Sequence, residues 1–245
     1  DWEKMARRTT GCSGADLEKI VNEALIIATL AYKEKAEEAE FNEALTRVFM
    51  GDEANLNEKS EDEKQITAAH EAGHAIVSRV LKPSITIPQI SILSRGKTGG
   101  FTEYAESDDN TYIKSTEILE GTITTMMGGR ACEEVICKTL TPGASNDIQK
   151  ATTLAYKMVA NWGLSNDLGP FSVSAIKGTL SDKKLSQIEA AVQEILSNSY
   201  HRAKKIIELN KKATEKLIDL LKQRETILEN ELNDFWTNNH LQMIT

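Results

Sequence analysis

Apolar residues return at intervals of three and four along most of this chain, and alternation replaces that rhythm only near its centre. In SGADLEKIVNEALIIATLAYKEKA (13–36), Leu17, Ile20, Val21, Ala24 and Leu25 share one helical face, with Ser13 as cap and Asp16 in the first turn. Phe41, Ala44, Leu45, Val48 and Phe49 predict a second short helix over 40–50. GDEANLNEKSED (51–62) is polar and acidic and reads as a linker. Ser60 followed by Glu63 is a capping-box signature, so a helix should start near 61 and run to about Leu81. ITIPQISIL (85–93) alternates until Pro88 shifts the phase, as in a bulged or edge strand, and GGFTEY (99–104) is its expected partner. Further helices fit 111–137, despite Gly121, Gly128 and Gly129, and 146–162, capped by Ser145 or Asn146. Leu185, Ile188, Val192, Ile195, Ala203, Ile206, Leu217 and Leu221 extend helical periodicity over 181–223, with a break near 210. The expected class is mainly α with a small β-sheet: a small helical unit (1–51), a linker (52–62) and a larger helical domain (63–245).

Composition narrows the function. A net charge of −8 in 245 residues argues against a nucleic-acid partner, which would call for a basic face. The 3 cysteines, Cys12, Cys132 and Cys137, lack CxxC spacing and read as reduced thiols. The longest apolar run, ALIIATLAY (24–32), is far short of the roughly 20 residues a membrane span needs. The chain opens on DWEKMARR without an initiator methionine, so a fragment of something longer is expected, with any upstream anchor out of view.

The chemistry concentrates in TAAHEAGHAIV (67–77). On a helix, positions i and i+4 face the same way, so His70 and His74 can converge on one ion. Glu71 then lies beside the ion without ligating it, placed to take a proton from an activated water. The bland alternative is two solvated or core histidines, but with 4 histidines in the whole chain an accidental HExxH is rare. A hydrolytic zinc site needs a third protein ligand. The metzincin extension would require histidine at position 80, which is Val80. Glu133, Glu134, Asp147 and His201 are the candidates. Glu134 could pair with Arg130 four residues earlier, and His201 sits among Tyr200, Arg202, Lys204 and Lys205 as a solvated histidine would. Asp147 shares a helical face with Ala151, Leu154 and Met158, so its carboxylate points toward packed surface and calls for a cation or a capping role. Spacing alone leaves Asp147 and Glu133 both open.

HEAGH, followed in order by GGRACEE (128–134), TPGASNDIQKAT (141–152) and NWGLSNDLGP (161–170), resembles the protease domain of the FtsH family of membrane-bound AAA metalloproteases. ARRTTGCSGADLEKIVNEA through FNEALTRVFMG is similar to the lid subdomain of that family's ATPase. The resemblance implies that His70, His74 and Asp147 bind Zn2+, that Glu71 is the general base and that Glu133 supports the site from outside. It implies that Gly99, Gly100, Phe101, Thr102, Glu103 and Tyr104 offer an edge strand to an extended polypeptide. Gly14 and Ala15 would line the adenine side of an ATP site. No GxxxxGK[ST] occurs, so ATP with Mg2+ belongs to a full-length protein and not to this chain alone. The family further implies a homo-hexamer and a membrane-anchored parent whose protease faces the cytoplasm. Thr10, Cys12, Ala54, Asn55, Ala69 and Cys132 depart from the family's usual residues, and none touches an expected ligand. A competing reading is a catalytically silent oligomerisation module built on 181–223, which would give Glu71 no role.

Overall fold

The computed structural model describes residues 2–52, 59–96, 99–105, 115–176 and 178–244. Three helices build a small first unit: α1 (Trp2–Arg8), α2 (Gly14–Leu30) and α3 (Glu38–Met50). The capping box of Ser13 and Asp16 starts α2. It ends at Leu30, short of the expected 36, where Tyr32 takes a left-handed φ of 55° and Lys33 N–H reaches back to Ala28 O. The hairpin of α2 and α3 closes on Ile20, Ala24, Ala44 and Leu45. Helix α1 was not foreshadowed by the pattern because none of its apolar residues is buried. Most of the expected linker, 53–58, lies outside the described residues.

The larger unit is organised around α4 (Glu61–Leu81), started by the reciprocal bonds of Ser60 and Glu63. From Ala68 to Val80 only Arg79 and His70 among its residues escape burial. A helix this enclosed must be covered on all sides, and it packs on α5 (Thr116–Met126), α6 (Gly128–Cys132), α8 (Asp182–Leu209) and α9 (Lys211–Arg224). Ala72, Ile76, Ile123, Met158, Ile206, Leu217 and Leu221 lie in the shared core.

Several expected elements change shape. Residues 111–114 of the helix placed over 111–137 lie outside the described residues, and the remainder divides at Met127 into α5 and α6. After α6 a single π-helical turn, Glu133–Cys137, stops at the left-handed Lys138. Helix α7 (Ser145–Tyr156) is capped by neither Ser145 nor Asn146: a 3-10 turn, Pro142–Ala144, held by Thr141, runs straight into it. The break near 210 falls at Asn210.

The sheet has the order β2–β1–β3, all antiparallel: β1 (Gln89–Ser91) pairs Ile90 with Thr102 of β2 (Phe101–Thr102) and with Ile227 of β3 (Thr226–Leu228). The expected strands were longer. Pro88 lacks an N–H, and regular pairing begins only after it; a lone bridge from Thr86 to Ala105 continues the contact. Neither β3 nor the following α10 (Glu229–Asn238) was anticipated. The pairing leaves β2 at the edge of the sheet, beside α4. Among the described residues no helix is long and apolar enough to cross a membrane.

Candidate metal centre

Helix geometry brings the two histidines of α4 together, and the first turn of α7 adds Asp147. His70 Nε2 and His74 Nε2 lie 3.1 Å apart, with Asp147 Oδ2 at 3.2 Å from the first and 3.4 Å from the second. Zinc ligands at about 2.0–2.2 Å occupy tetrahedral corners roughly 3.3–3.6 Å apart, so this near-equilateral triangle matches one face of such a site. Among the described residues three donors converge, which leaves a fourth tetrahedral corner without a protein donor, and the Asp147 side chain is 23% exposed. An open corner is what separates hydrolytic from structural zinc sites.

Each ring is held from behind. His74 Nδ1 donates to the Thr125 carbonyl at 2.8 Å, and a carbonyl can only accept, so Nε2 keeps its lone pair for the triangle. His70 Nδ1 likewise donates to Glu133 Oε1 at 2.7 Å. The π-helical turn begins at Glu133, which is buried, and its other oxygen accepts the Thr141 N–H at 2.9 Å. One carboxylate thus ties His70 to the loop leading into α7, the helix that carries Asp147.

Glycines admit this arrangement. A Cβ at Gly129 would meet the His70 ring at 2.5 Å, and one at Gly73 would meet the Gly128 carbonyl oxygen at 2.3 Å. Helices α4 and α6 therefore touch backbone to backbone directly behind the donors. Gly73 thus faces the packed helix rather than the donors.

Glu71 is buried and its Oε2 accepts the Thr102 hydroxyl at 2.8 Å. A Cβ at Gly100 would come within 3.0 Å of Glu71 Oε1, so the segment entering β2 presses on this carboxylate. Burial raises the Glu71 pKa, against the pull of His74 and His70. Burial also disfavours a charged His70, yet the hydrogen bonds to Asp147 and Glu133 outweigh it and raise its pKa to about 10. Against a similar burial penalty, His70 and His74 pull Asp147 well below the usual carboxylate range, and His70 with Thr141 lowers Glu133. The pocket strongly favours positive charge at the triangle, the electrostatic condition for holding a cation.

The other candidates lie elsewhere. Glu134 accepts from Lys204 at 2.7 Å and from the Tyr200 hydroxyl, where a bond to Arg130 was expected; Arg130 stacks over the Tyr200 ring instead. His201 is exposed and bonds its own helix at Ser197 O. Gly14 and Ala15 form the exposed first turn of α2. Sequence reasoning missed Thr102 as a partner of Glu71, the Thr125 carbonyl, the Thr141 N–H and Gly129 beneath His70. Only the paired glycines of GGR carried a signal, since two glycines inside a helical pattern call for a close approach.

An HExxH helix met by a carboxylate from a second helix, with the edge strand of a small sheet alongside, is the layout of a metallopeptidase. The chain belongs to peptidase family M41, whose description matches residues 57–235, and residues 1–43 match the AAA+ lid domain. It is 37% identical over 244 residues to the ATP-dependent zinc metalloprotease FtsH of Thermotoga maritima, covering 94% of this chain and 40% of that protein. The protein of the same name from Pseudothermotoga lettingae is 38% identical over 245 residues, with 95% and 39% covered. FtsH 3 of Synechocystis is 33% identical over 259 residues, covering 99% and 42%. The chain thus spans about two fifths of the length of these relatives.

Proposed function

We propose that this chain is the zinc endopeptidase part of an FtsH-like ATP-dependent protease. The observation that carries the reading is the triangle of His70, His74 and Asp147 donors at 3.1–3.4 Å with the buried Glu71 alongside. His70 and His74 through Nε2, and Asp147 through Oδ2, would hold Zn2+. When bound, zinc supplies Lewis acidity that activates water and polarises a peptide carbonyl. Glu71 accepts a proton from the attacking water and returns it to the leaving amine; its raised pKa suits both tasks. Thr102 orients that carboxylate. Gly99 to Tyr104 accept an extended polypeptide as an added strand at the free edge of β2, which reads backbone rather than sequence.

The lid runs over 1–51, the linker over 52–62 and the protease domain over 63–245. In the parent protein the lid completes an ATP–Mg2+ site, with Gly14 and Ala15 on the adenine side, and the chain works as a homo-hexamer. Membrane anchoring, the cytoplasmic face and unfolded or damaged membrane and cytosolic proteins as substrates follow from the same reading.

Zinc stoichiometry and casein cleavage, compared between the native chain and Glu71→Gln, test it. The expected outcome is one zinc in both and cleavage only in the native chain. A native chain that retains no zinc refutes the reading, and bound zinc without Glu71-dependent cleavage in a hexameric sample favours the silent assembly module.

A further inference from the structure

The two units meet through polar contacts that converge on the sheet, and one of them grips the edge strand itself. Arg8, the last residue of α1, directs Nε and Nη2 to the two carboxylate oxygens of Glu103 at 2.7 and 2.8 Å. Its Nη1 donates to Asn42 Oδ1 on α3. The Arg8 side chain is 4% exposed and that of Glu103 18%, so the pair is largely removed from water. Two contacts from α3 reach β1 and the segment after it: Gln89 Nε2 donates to Thr46 at 2.7 Å, and Glu43 receives both terminal nitrogens of Arg95 at 3.1 and 3.0 Å.

Glu103 occupies a telling place. The residue before it, Thr102, carries the hydroxyl that orients Glu71. Its own N–H donates to Gln89 O at 3.0 Å, and Ala105 N–H donates to Thr86 O at 3.1 Å. Because strand residues alternate, this inward pairing of 103 and 105 turns the backbone groups of Thr102 and Tyr104 toward the free edge. Those are the groups an added strand would pair with. A bidentate guanidinium–carboxylate pair fixes orientation as well as distance, and a buried one leaves an uncompensated charge if either partner is lost.

We propose that Arg8 is a positioning residue of the peptidase: through its bidentate pair with Glu103, the first helical unit holds the substrate-accepting edge of β2 in place over Glu71. Displacement of that unit loosens the strand and its grip on extended polypeptide. The proposal rests on the peptidase reading above, and it links the lid to proteolysis by a direct contact rather than through the linker.

The test compares the zinc-loaded native chain with Arg8→Gln and Glu103→Gln by amide hydrogen exchange and by casein cleavage. Exchange at Glu103 and Ala105 should quicken about tenfold or more in both variants, while α4 and α7 amides and zinc content stay unchanged. The KM for casein should rise several-fold with kcat changed much less, a split that general loss of structure would not give. If Arg8→Gln also exposes α2 and α3 to exchange, Glu103→Gln, which leaves the Arg8–Asn42 bond intact, decides alone. Exchange at the backbone amides of positions 103 and 105 within twofold of native in Glu103→Gln overturns the proposal, as does a lowered kcat at unchanged KM. A native chain that does not cleave casein while the exchange response appears shows the peptidase reading to be at fault and the clamp to stand.

Discussion

Replacing Gly73 with alanine should destabilise this protein, although helix propensity alone points the other way. In a helix interior alanine is favoured over glycine by roughly 1 kcal/mol. At position 73, however, the new Cβ would stand 2.3 Å from the Gly128 carbonyl oxygen and 2.6 Å from Cys132 Cβ. Carbon contacts settle near 3.5 Å, so α4 and α6 would have to part by roughly 1 Å. Neither obstacle is the far end of a flexible side chain. Forced overpacking of this kind costs about 1–3 kcal/mol, and a backbone target belongs at the upper end, leaving a net loss of about 2 kcal/mol. For a chain of this size, that lowers Tm by roughly 4–8 °C. The same displacement draws Gly129 and Glu133 away from His70, breaking a 2.7 Å bond that orients a donor ring. Loss of such supporting bonds lowers metal affinity by about 10–100-fold. Calorimetry with zinc analysis after dialysis against a weak chelator reads both effects. Gly121→Ala is the matched control, because nothing lies within 4 Å of its added Cβ. It should raise Tm by roughly 2–4 °C. If Gly73→Ala also raises Tm, the packing account of the α4–α6 crossing is wrong.

Two further outcomes follow from the site. Asp147→Asn should weaken zinc retention much more than Glu133→Gln, since the first loses a charged donor and the second keeps an oxygen that can accept from His70; competition with a coloured chelator would show the order, and the reverse order would make Glu133 the ligand. With zinc stripped by chelator, His70 is raised from 6.5 to about 10, so its contribution to stability is full below 6.5 and is lost as pH rises through about 10. Asp147 is depressed from 3.8, so its contribution is full above that value and fades as pH falls below it. These two groups therefore stabilise the stripped chain most between about pH 4 and 6.5. Zinc must displace the His70 proton, so the Tm gain on adding zinc should grow from pH 6 to 8; a gain that shrinks over that range would contradict the electrostatics of the triangle.

The HExxH pair was legible because i and i+4 lie on one face of any helix, whatever the helix packs against. Ser60 and Glu63 announced the start of α4 for the same local reason. Helix α1 was silent, since none of its apolar residues is buried and their spacing carries no message. Strand β3 is three residues long and only Ile227 within it is buried, so nothing in its own composition calls for pairing with β1. The cap expected for α7 failed because Thr141 and Pro142 organise a preceding 3-10 turn, a choice made by the loop rather than by the helix.

What the sequence determined by itself, then, is whatever depends on neighbours along the chain: helix faces, the caps at Ser13 and Ser60, the paired histidines and the glutamate between them. Which carboxylate completes the triangle was a tertiary decision. Asp147 and Glu133 were comparable by spacing, and they divide the work only because the π-helical turn aims Glu133 at His70 Nδ1 while α7 delivers Asp147 to Nε2. The α4–α6 crossing that permits this depends on glycines 55 positions apart in sequence, Gly73 and Gly128, meeting backbone to backbone. The grip of Arg8 on Glu103 is of the same kind. Long-range contacts leave no periodic trace, because each partner obeys only its own local rules until the fold brings them together.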